Sequence, residues 1–303
     1  MPAAAIIINR TRIRDLSRFR RQCCLAARAA GWEPFFAETS PRDHGLGLAR
    51  DALTAGARLV VAAGGDGTVR ACAHALAGTG VPLAIVPRGT ANLAARALGI
   101  PSRLDAALAA GFGGRDRQVD LAEAEGMLFA AMAGIGLDAA VVAGTPDLLK
   151  RRLGWLAYAA GGVTRLAGHP LTFSVRMDGG PPLTRRARSV VVGNAGLLPG
   201  GFALLPDARL DDGLLDVGIL APAGPAGWGL VAGRVITGSR HDDRNLERYR
   251  ARRIEIEADA DLPREVDGEV ITAGRSLTVT LRPGALLVRV PAYAHGADEL
   301  EIA

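Results

Sequence analysis

The sequence predicts an α/β plus β protein. A parallel-sheet α/β nucleotide-binding domain is expected over residues 1–116, and a β-sandwich-like domain over 117–303 whose last strand can return to the first. Three observations carry this expectation. Apolar runs alternate with helical repeats over roughly the first 115 residues, with short connections, and such alternation implies right-handed crossovers and parallel strands. After Gly111-Phe112-Gly113-Gly114 the pattern changes to strand-like runs separated by Gly, Pro and Asp turns. Two early strands also end in glycine turns, at Gly64 to Thr68 and at Gly89 to Asn92.

Taken in order, Ala3 to Asn9 reads as the first strand, closed by Asn9-Arg10-Thr11-Arg12. Leu16, Phe19, Cys23, Ala26 and Ala30 recur at helical spacing, and Gly31 stands where a C-terminal cap belongs. Glu33 to Thr39 reads as a strand, Gly45 to Ala57 as a helix, Leu59 to Ala63 as a buried strand and Val69 to Leu76 as the start of a helix. Pro82 to Pro87 is the next strand, its turn leading to a helix ended by Gly99-Ile100-Pro101, and Arg103 to Ala110 one more helix. In the second domain the strand-like runs are Gln118 to Glu125, Met127 to Ala133, Leu171 to Met177, Ala187 to Val192, Leu214 to Leu220, Arg253 to Ala258, Ser276 to Leu281 and Ala285 to Val290. Between them, Asp147 to Gly168 reads as a basic and apolar helix. With Trp155 and Tyr158 near Lys150, Arg151 and Arg152, it can lie on an anionic bilayer or simply pack with its basic face in water.

Composition narrows the function. The chain has 303 residues, 49% of them hydrophobic and 22% charged, which is ordinary for a globular protein. No stretch approaches the roughly 18 uninterrupted apolar residues of a spanning helix, and the N-terminus lacks a signal-peptide pattern, so a cytoplasmic protein is expected. Three cysteines, two of them adjacent, offer neither a disulfide framework nor a zinc spacing. The five histidines show no paired spacing, which argues against a histidine metal site. A net charge of +5 suits an anionic partner such as a membrane surface, while 4% aromatics without a basic-aromatic stripe argue against nucleic acid. Lys150 is the only lysine, so a P-loop is excluded.

The chemistry concentrates in four turns. Gly64, Gly65 and Gly67 can take φ > 0 and present no Cβ, so their N–H groups can converge on a phosphate at the start of the following helix. Asp66 beside a phosphate calls for an intervening cation or a proton, and Mg²⁺ with a nucleotide satisfies it; the plainer reading is a tight turn capped by Asp66 or Thr68. Arg10 and Arg12 can meet phosphates or form a solvated basic face. Asp207 to Asp216 is a dense acidic turn able to hold a hard cation through oxygen ligands, or else a plain Asp-Gly turn. Asp267-Gly268-Glu269 is a hairpin signal with a second carboxylate added, and a carboxylate near a nucleotide phosphate can take the proton of an attacking hydroxyl.

Five elements in this order resemble the diacylglycerol kinase catalytic-domain family, in its bacterial lipid kinase branch related to sphingosine kinases. They are Gly64-Gly65-Asp66-Gly67-Thr68, Gly89-Thr90-Ala91-Asn92 with Arg96, Ala133-Gly134-Ile135-Gly136-Leu137-Asp138-Ala139, Pro206 to Val217, and Asp267-Gly268-Glu269. The resemblance implies an active site in an interdomain cleft. It implies that the glycine motif binds ATP, with Asn9, Thr39, Thr90 and Asn92 lining the nucleotide. The general base falls on Glu269 or Asp267, and Asp66 matches an aspartate assigned to Mg²⁺ or to the hydroxyl. A separate structural Mg²⁺ is implied near Arg209, Asp212 and Leu214, partly through backbone carbonyls. Two departures stand out: Asn9-Arg10 replaces Asn-Pro, and Leu93 replaces an aspartate, removing a carboxylate from the Mg²⁺ and water network.

The expected function is transfer of the ATP γ-phosphoryl group to the hydroxyl of diacylglycerol or a similar lipid alcohol, in phospholipid metabolism, with transient attachment to an anionic membrane surface. An NAD kinase, or a catalytically silent ATP- or lipid-binding module suggested by Leu93, are the alternatives. Spacing leaves the lipid and the oligomeric state open.

Overall fold

The computed structural model describes residues 1–136, 170–198 and 201–292. The helix expected over Asp147 to Gly168 and the Leu137-Asp138-Ala139 end of the third motif lie outside the described residues. The chain divides into two compact units: Met1–Gly89, Leu98–Gln118 and Leu286–Ala303 in unit 1, and Thr90–Ala97 with Val119–Ala285 in unit 2.

Unit 1 carries β1 (Ala3–Ile8), a 3₁₀ turn (Arg10–Arg12), α1 (Leu16–Ala29), β2 (Glu33–Glu38), α2 (Leu46–Thr54), β3 (Leu59–Gly64), α3 (Asp66–Leu76), β4 (Leu83–Pro87) and α5 (Leu104–Gly113). Its strands run parallel in the order β2-β1-β3-β4. β1, β3 and β4 are apolar almost throughout because helices cover both faces of a parallel sheet. On one face Ile6, Ile8, Val61 and Val86 meet Phe19 and Cys23 of α1 and Phe112 of α5. Asp15 caps α1 by accepting the Arg18 N–H at 2.9 Å, and Gly31, at φ +79°, follows its end.

Unit 2 is built of antiparallel strands, with α4 (Leu93–Ala97) assigned to it as well. β7 (Met132–Gly136) pairs with β10 (Ser189–Gly193), which pairs with β11 (Leu215–Leu220), which pairs with β12 (Leu246–Ala251). β13 (Arg253–Val266) pairs with β7, with β8 (Leu171–Met177) and with β14 (Glu269–Val290), while β9 (Leu183–Ala187) pairs with β8. β5 (Arg115–Ala124) pairs with β6 (Met127–Phe129). A core of Phe129, Ile135, Phe173, Val190, Leu215, Ile254 and Leu277 sits inside, and α6 (Gly224–Thr237) packs Val231 and Val235 against Leu205, Leu220 and Leu246.

Several expected strands have different bounds. Met127 to Ala133 is two strands, because the main chain at Ala130 and Ala131 gives its N–H groups to the Asp267 carboxylate instead of to a ladder. Ala187 to Val192 also divides, the chain changing partner from β8 to β7 and β11 at Arg188. Ser276 to Leu281 and Ala285 to Val290 belong to one long strand, β14.

Candidate active site

In unit 1 the register aligns the carboxyl ends of the strands. Ile8 lies opposite Glu38 and Ala63, and Gly64 lies opposite Pro87. Asn9, Thr39, Gly64 and Arg88 therefore leave the sheet at one edge, where ligands of open α/β sheets bind. Hydrogen bonds tie this edge together: the Asn9 N–H donates to Ala63 O at 2.9 Å, Thr39 N–H to Ile8 O at 2.9 Å and Arg88 N–H to Gly64 O at 2.7 Å. The Asn9 side chain closes the turn after β1. Its Oδ1 accepts from Thr11 N–H at 3.2 Å and Thr11 Oγ1 at 2.8 Å, and its Nδ2 donates to Thr68 Oγ1 at 3.4 Å.

The glycine turn is shorter than the sequence suggested, because α3 already begins at Asp66 with Gly65 as its N-cap. None of Gly64, Gly65 and Gly67 has a positive φ, so conformational freedom is not what selects glycine here. Close approach is. A Cβ on Gly64 would stand 2.6 Å from Thr68 Oγ1, and one on Gly65 would stand 3.0 Å from Gly89 Cα. At Gly67 a Cβ would meet nothing within 4 Å, which is open space at the start of a helix. Neither Asp66 nor Thr68 is the N-cap; Thr68 is 3% exposed and braces Asn9 from beneath. Arg12 is exposed and lines a separate depression, to which no residue of the glycine turn contributes.

In unit 2, Asn92 adopts φ +50° and its carbonyl accepts the Arg96 N–H at 3.0 Å, which starts α4. Asparagine tolerates that left-handed conformation where a β-branched residue would not. The Arg96 guanidinium folds back, Nε donating to Ala91 O at 3.0 Å. Leu93 is the first residue of α4.

Asp267 and Gly268 form the two-residue turn of the β13–β14 hairpin, at φ +50° and +77°, with Val266 opposite Glu269. The two carboxylates on this turn differ. Asp267 Oδ1 accepts the N–H groups of Ala131 at 2.9 Å and Met132 at 3.1 Å, and Oδ2 that of Ala130 at 3.2 Å. Its own N–H donates to Met132 O at 2.7 Å, so Asp267 fastens the hairpin to the β6–β7 connection. Glu269 is exposed. Nearby, Glu265 is buried and its Oε2 accepts the Gly268 N–H at 2.7 Å.

The acidic turn is organised by a residue that its own sequence does not announce. Asp120, 4% exposed, accepts the Gly213 N–H at 2.8 Å through Oδ2 and the Gly284 N–H at 2.7 Å through Oδ1, and its N–H donates to Leu210 O at 2.6 Å. Buried Asn194 donates to Asp120 O at 2.9 Å. A lone aspartate inside the apolar run Val119 to Ala124 was the available signal for Asp120. Arg209, Asp212 and Leu214 could offer a hard cation one carboxylate and two main-chain carbonyls, which is a suitable donor class. Asp212 Oδ1 accepts the Leu214 N–H at 3.1 Å, and Arg250 Nη1 stands 3.9 Å from Asp212 Oδ2, a charge that competes with any cation there. Among the described residues no group of three His, Cys, Asp or Glu side chains could hold a metal, so carbonyls would have to complete such a site. Arg250 Nε also lies 3.1 Å from Asp216 Oδ1; burial pushes the Asp216 carboxyl above its ordinary value against the pull of that guanidinium.

The diacylglycerol kinase catalytic domain matches residues 3–124, and the YegS C-terminal NAD kinase beta sandwich-like domain matches 131–290. A Pseudomonas aeruginosa protein named probable lipid kinase YegS-like is 38% identical over 281 residues, covering 90% of this chain and 89% of its own. One of the same name from Pseudomonas fluorescens is 37% identical over 270 residues, covering 88% of each. A Bacillus anthracis diacylglycerol kinase structure superposes with a TM-score of 0.74 at 20% identity, covering 95% of this chain and 96% of its own. An NAD kinase from Archaeoglobus fulgidus is more distant, at TM-score 0.52 and 14% identity over 95% and 93% of the two chains. The fold is thus an α/β domain followed by a β-sandwich-like one, of the kind that lipid kinases and NAD kinases share. This chain belongs to the YegS-like lipid kinase family, with a diacylglycerol kinase catalytic domain. Kinases of this family use ATP, typically with a divalent metal.

Proposed function

We propose that this protein transfers the γ-phosphoryl group of ATP to the hydroxyl of diacylglycerol or a closely similar lipid alcohol, with Glu269 as the general base. The observation that carries the assignment is the inequality of the two hairpin carboxylates. Asp267 holds three main-chain N–H groups, while Glu269, two residues on, is exposed.

On this reading the start of α3 takes the nucleotide phosphates. Thr68 N–H at the start of α3 already donates to Gly65 O at 3.0 Å, and the open space at Gly67 leaves room for an anion to approach the Gly67 N–H. Asn9 and Thr39 border the same edge of the sheet. Glu269 accepts the proton of the lipid hydroxyl as its oxygen bonds to the γ-phosphorus. The bond from that phosphorus to the β–γ bridging oxygen breaks, and ADP leaves. Mg²⁺, when bound, offsets phosphate charge. Asp66, in the first turn of α3, would face that cation. Arg209, Asp212 and Leu214 would hold a second, structural one.

On this reading the protein works at an anionic membrane surface; no helix of the described residues is long and apolar enough to cross a bilayer. The test is transfer of label from γ-labelled ATP with Mg²⁺ into mixed micelles carrying diacylglycerol, ceramide, sphingosine or no lipid, with NAD in a parallel tube. Label in the diacylglycerol product that disappears with Glu269→Gln is the expected result. Label in NADP alone would move the protein to the NAD kinases, and ATP binding without transfer to any acceptor would make it a silent module.

A further inference from the structure

Unit 1 has a depression of about 170 Å³ lined by Arg12, Arg14, Arg18 and Arg88 over an apolar floor that includes Phe19 and Leu104. Arg12 ends the 3₁₀ turn, Arg14 lies between it and α1, Arg18 is in the first turn of α1, and Arg88 directly follows β4. Four arginines thus border one concavity, Arg12, Arg14 and Arg18 exposed and Arg88 half-buried. Elsewhere in unit 1 arginines find carboxylates: Arg10 and Arg20 pair with Glu38, Arg28 with Glu33 and Arg103 with Asp105. Among the described residues no carboxylate pairs with Arg12, Arg14, Arg18 or Arg88. The single acid lining the depression, Asp15, already caps α1 through the Arg18 N–H.

Arg88 is the most exacting of the four. It is half-buried, and desolvation holds its guanidinium below its ordinary pKa. Its side chain makes one long hydrogen bond, Nη1 donating to Ser102 O at 3.4 Å. The nearby Cys23 thiol is pushed up to about 12 by burial and stays neutral, so it supplies no counter-charge. A partly desolvated cation with no carboxylate partner among the described residues, beside three more, is stabilised by a bound anion carrying more than one charge. Guanidinium forks match the oxygens of a phosphate, and the volume suits one tetrahedral group on a short stem.

We propose that Arg12, Arg14, Arg18 and Arg88 form a binding site for a phosphomonoester dianion, in a depression to whose lining the glycine turn does not contribute. The ligand is either free phosphate or the phosphate head of a lipid. The inference does not rest on the kinase assignment, because it is read by binding rather than turnover.

The test uses the full chain saturated with Mg²⁺ and a non-hydrolysable ATP analogue. Inorganic phosphate is titrated by calorimetry, and co-sedimentation is measured with phosphatidylcholine vesicles with and without phosphatidic acid. Arg88→Gln, and separately Arg14→Gln with Arg18→Gln, should each weaken binding at least about tenfold, as expected for lost charge-assisted hydrogen bonds. Loss confined to phosphatidic acid vesicles identifies a lipid head as the ligand, and loss in the phosphate titration identifies the free anion. The exposed Arg14 and Arg18 pair decides the matter if Arg88→Gln disturbs folding. Wild-type binding in both variants, abolition of all binding by the ATP analogue, or no binding by the wild-type protein would overturn the proposal.

Discussion

Asp267 commits both oxygens to the N–H groups of Ala130, Ala131 and Met132, and Glu269 lies exposed just past the turn. Substitutions at the two positions should therefore separate stability from turnover. Glu269→Gln keeps shape and is expected to lower kcat by roughly 10²–10⁴, the usual worth of general-base catalysis, with an unchanged melting temperature. Asp267→Ala leaves main-chain donors without their acceptor, a loss of about 1–3 kcal/mol for each that stays buried, visible as a lowered denaturation midpoint. Equal loss of activity at unchanged stability in both variants would return the base to Asp267. The glycine turn offers a similar contrast. Gly64→Ala puts a Cβ 2.6 Å from Thr68 Oγ1 and should destabilise the fold, while Gly67→Ala enters open space and should instead raise the KM for ATP at unchanged stability. Thermal melts beside initial-rate kinetics distinguish the two.

At the scale of elements, the β13–β14 hairpin shows what a sequence can and cannot disclose. Asp-Gly between apolar residues is a local turn signal, and the structure puts both residues at positive φ. Gly268→Ala should cost about 1 kcal/mol through the left-handed backbone alone, measurable by urea unfolding. What the hairpin is fastened to was not legible, because Asp267 reaches Ala130 to Met132 across more than a hundred residues. The same contact divides the apolar run Met127 to Ala133 into two strands, against its uniform pattern. The parallel strands of unit 1 were readable, since burial on both faces writes an unbroken apolar run. α6 and β12 went unforeseen. Four glycines in Gly224–Thr237 argue locally for a loop, and tertiary packing of Val231 and Val235 overrides them. In the candidate site the motifs were visible as residue types. The reason for glycine at position 64 was not, because it depends on α3 starting already at Asp66, which brings Thr68 against Gly64.

For the whole molecule, an aspartate of unit 2 and two cysteines of unit 1 predict pH sensitivities of opposite sign. In unit 2 the Arg234 guanidinium, hydrogen-bonded to Asp243 at 2.6 Å, holds that carboxyl well below the usual carboxylate range. A depressed folded value means a contribution present above the unfolded pKa, near 3.8, and lost as pH falls through the folded one. In unit 1, burial raises the Cys23 and Cys72 thiols from 9.0 to about 12. A raised folded value works the other way: the contribution is full below pH 9 and declines as pH rises toward 12, because the unfolded chain releases the protons first. Melting temperature followed across pH should therefore fall on both sides of neutrality. Asp243→Asn should flatten the acid limb and leave the alkaline limb as it was, and Cys23→Ala with Cys72→Ala should do the reverse. Tyrosines also titrate near pH 10, so the comparison with the cysteine variant, rather than the alkaline slope itself, isolates the thiols. Parallel alkaline limbs in wild type and cysteine variant would show that the thiols become exposed before they ionise, and that α1 and α3, which carry them, open locally ahead of global unfolding.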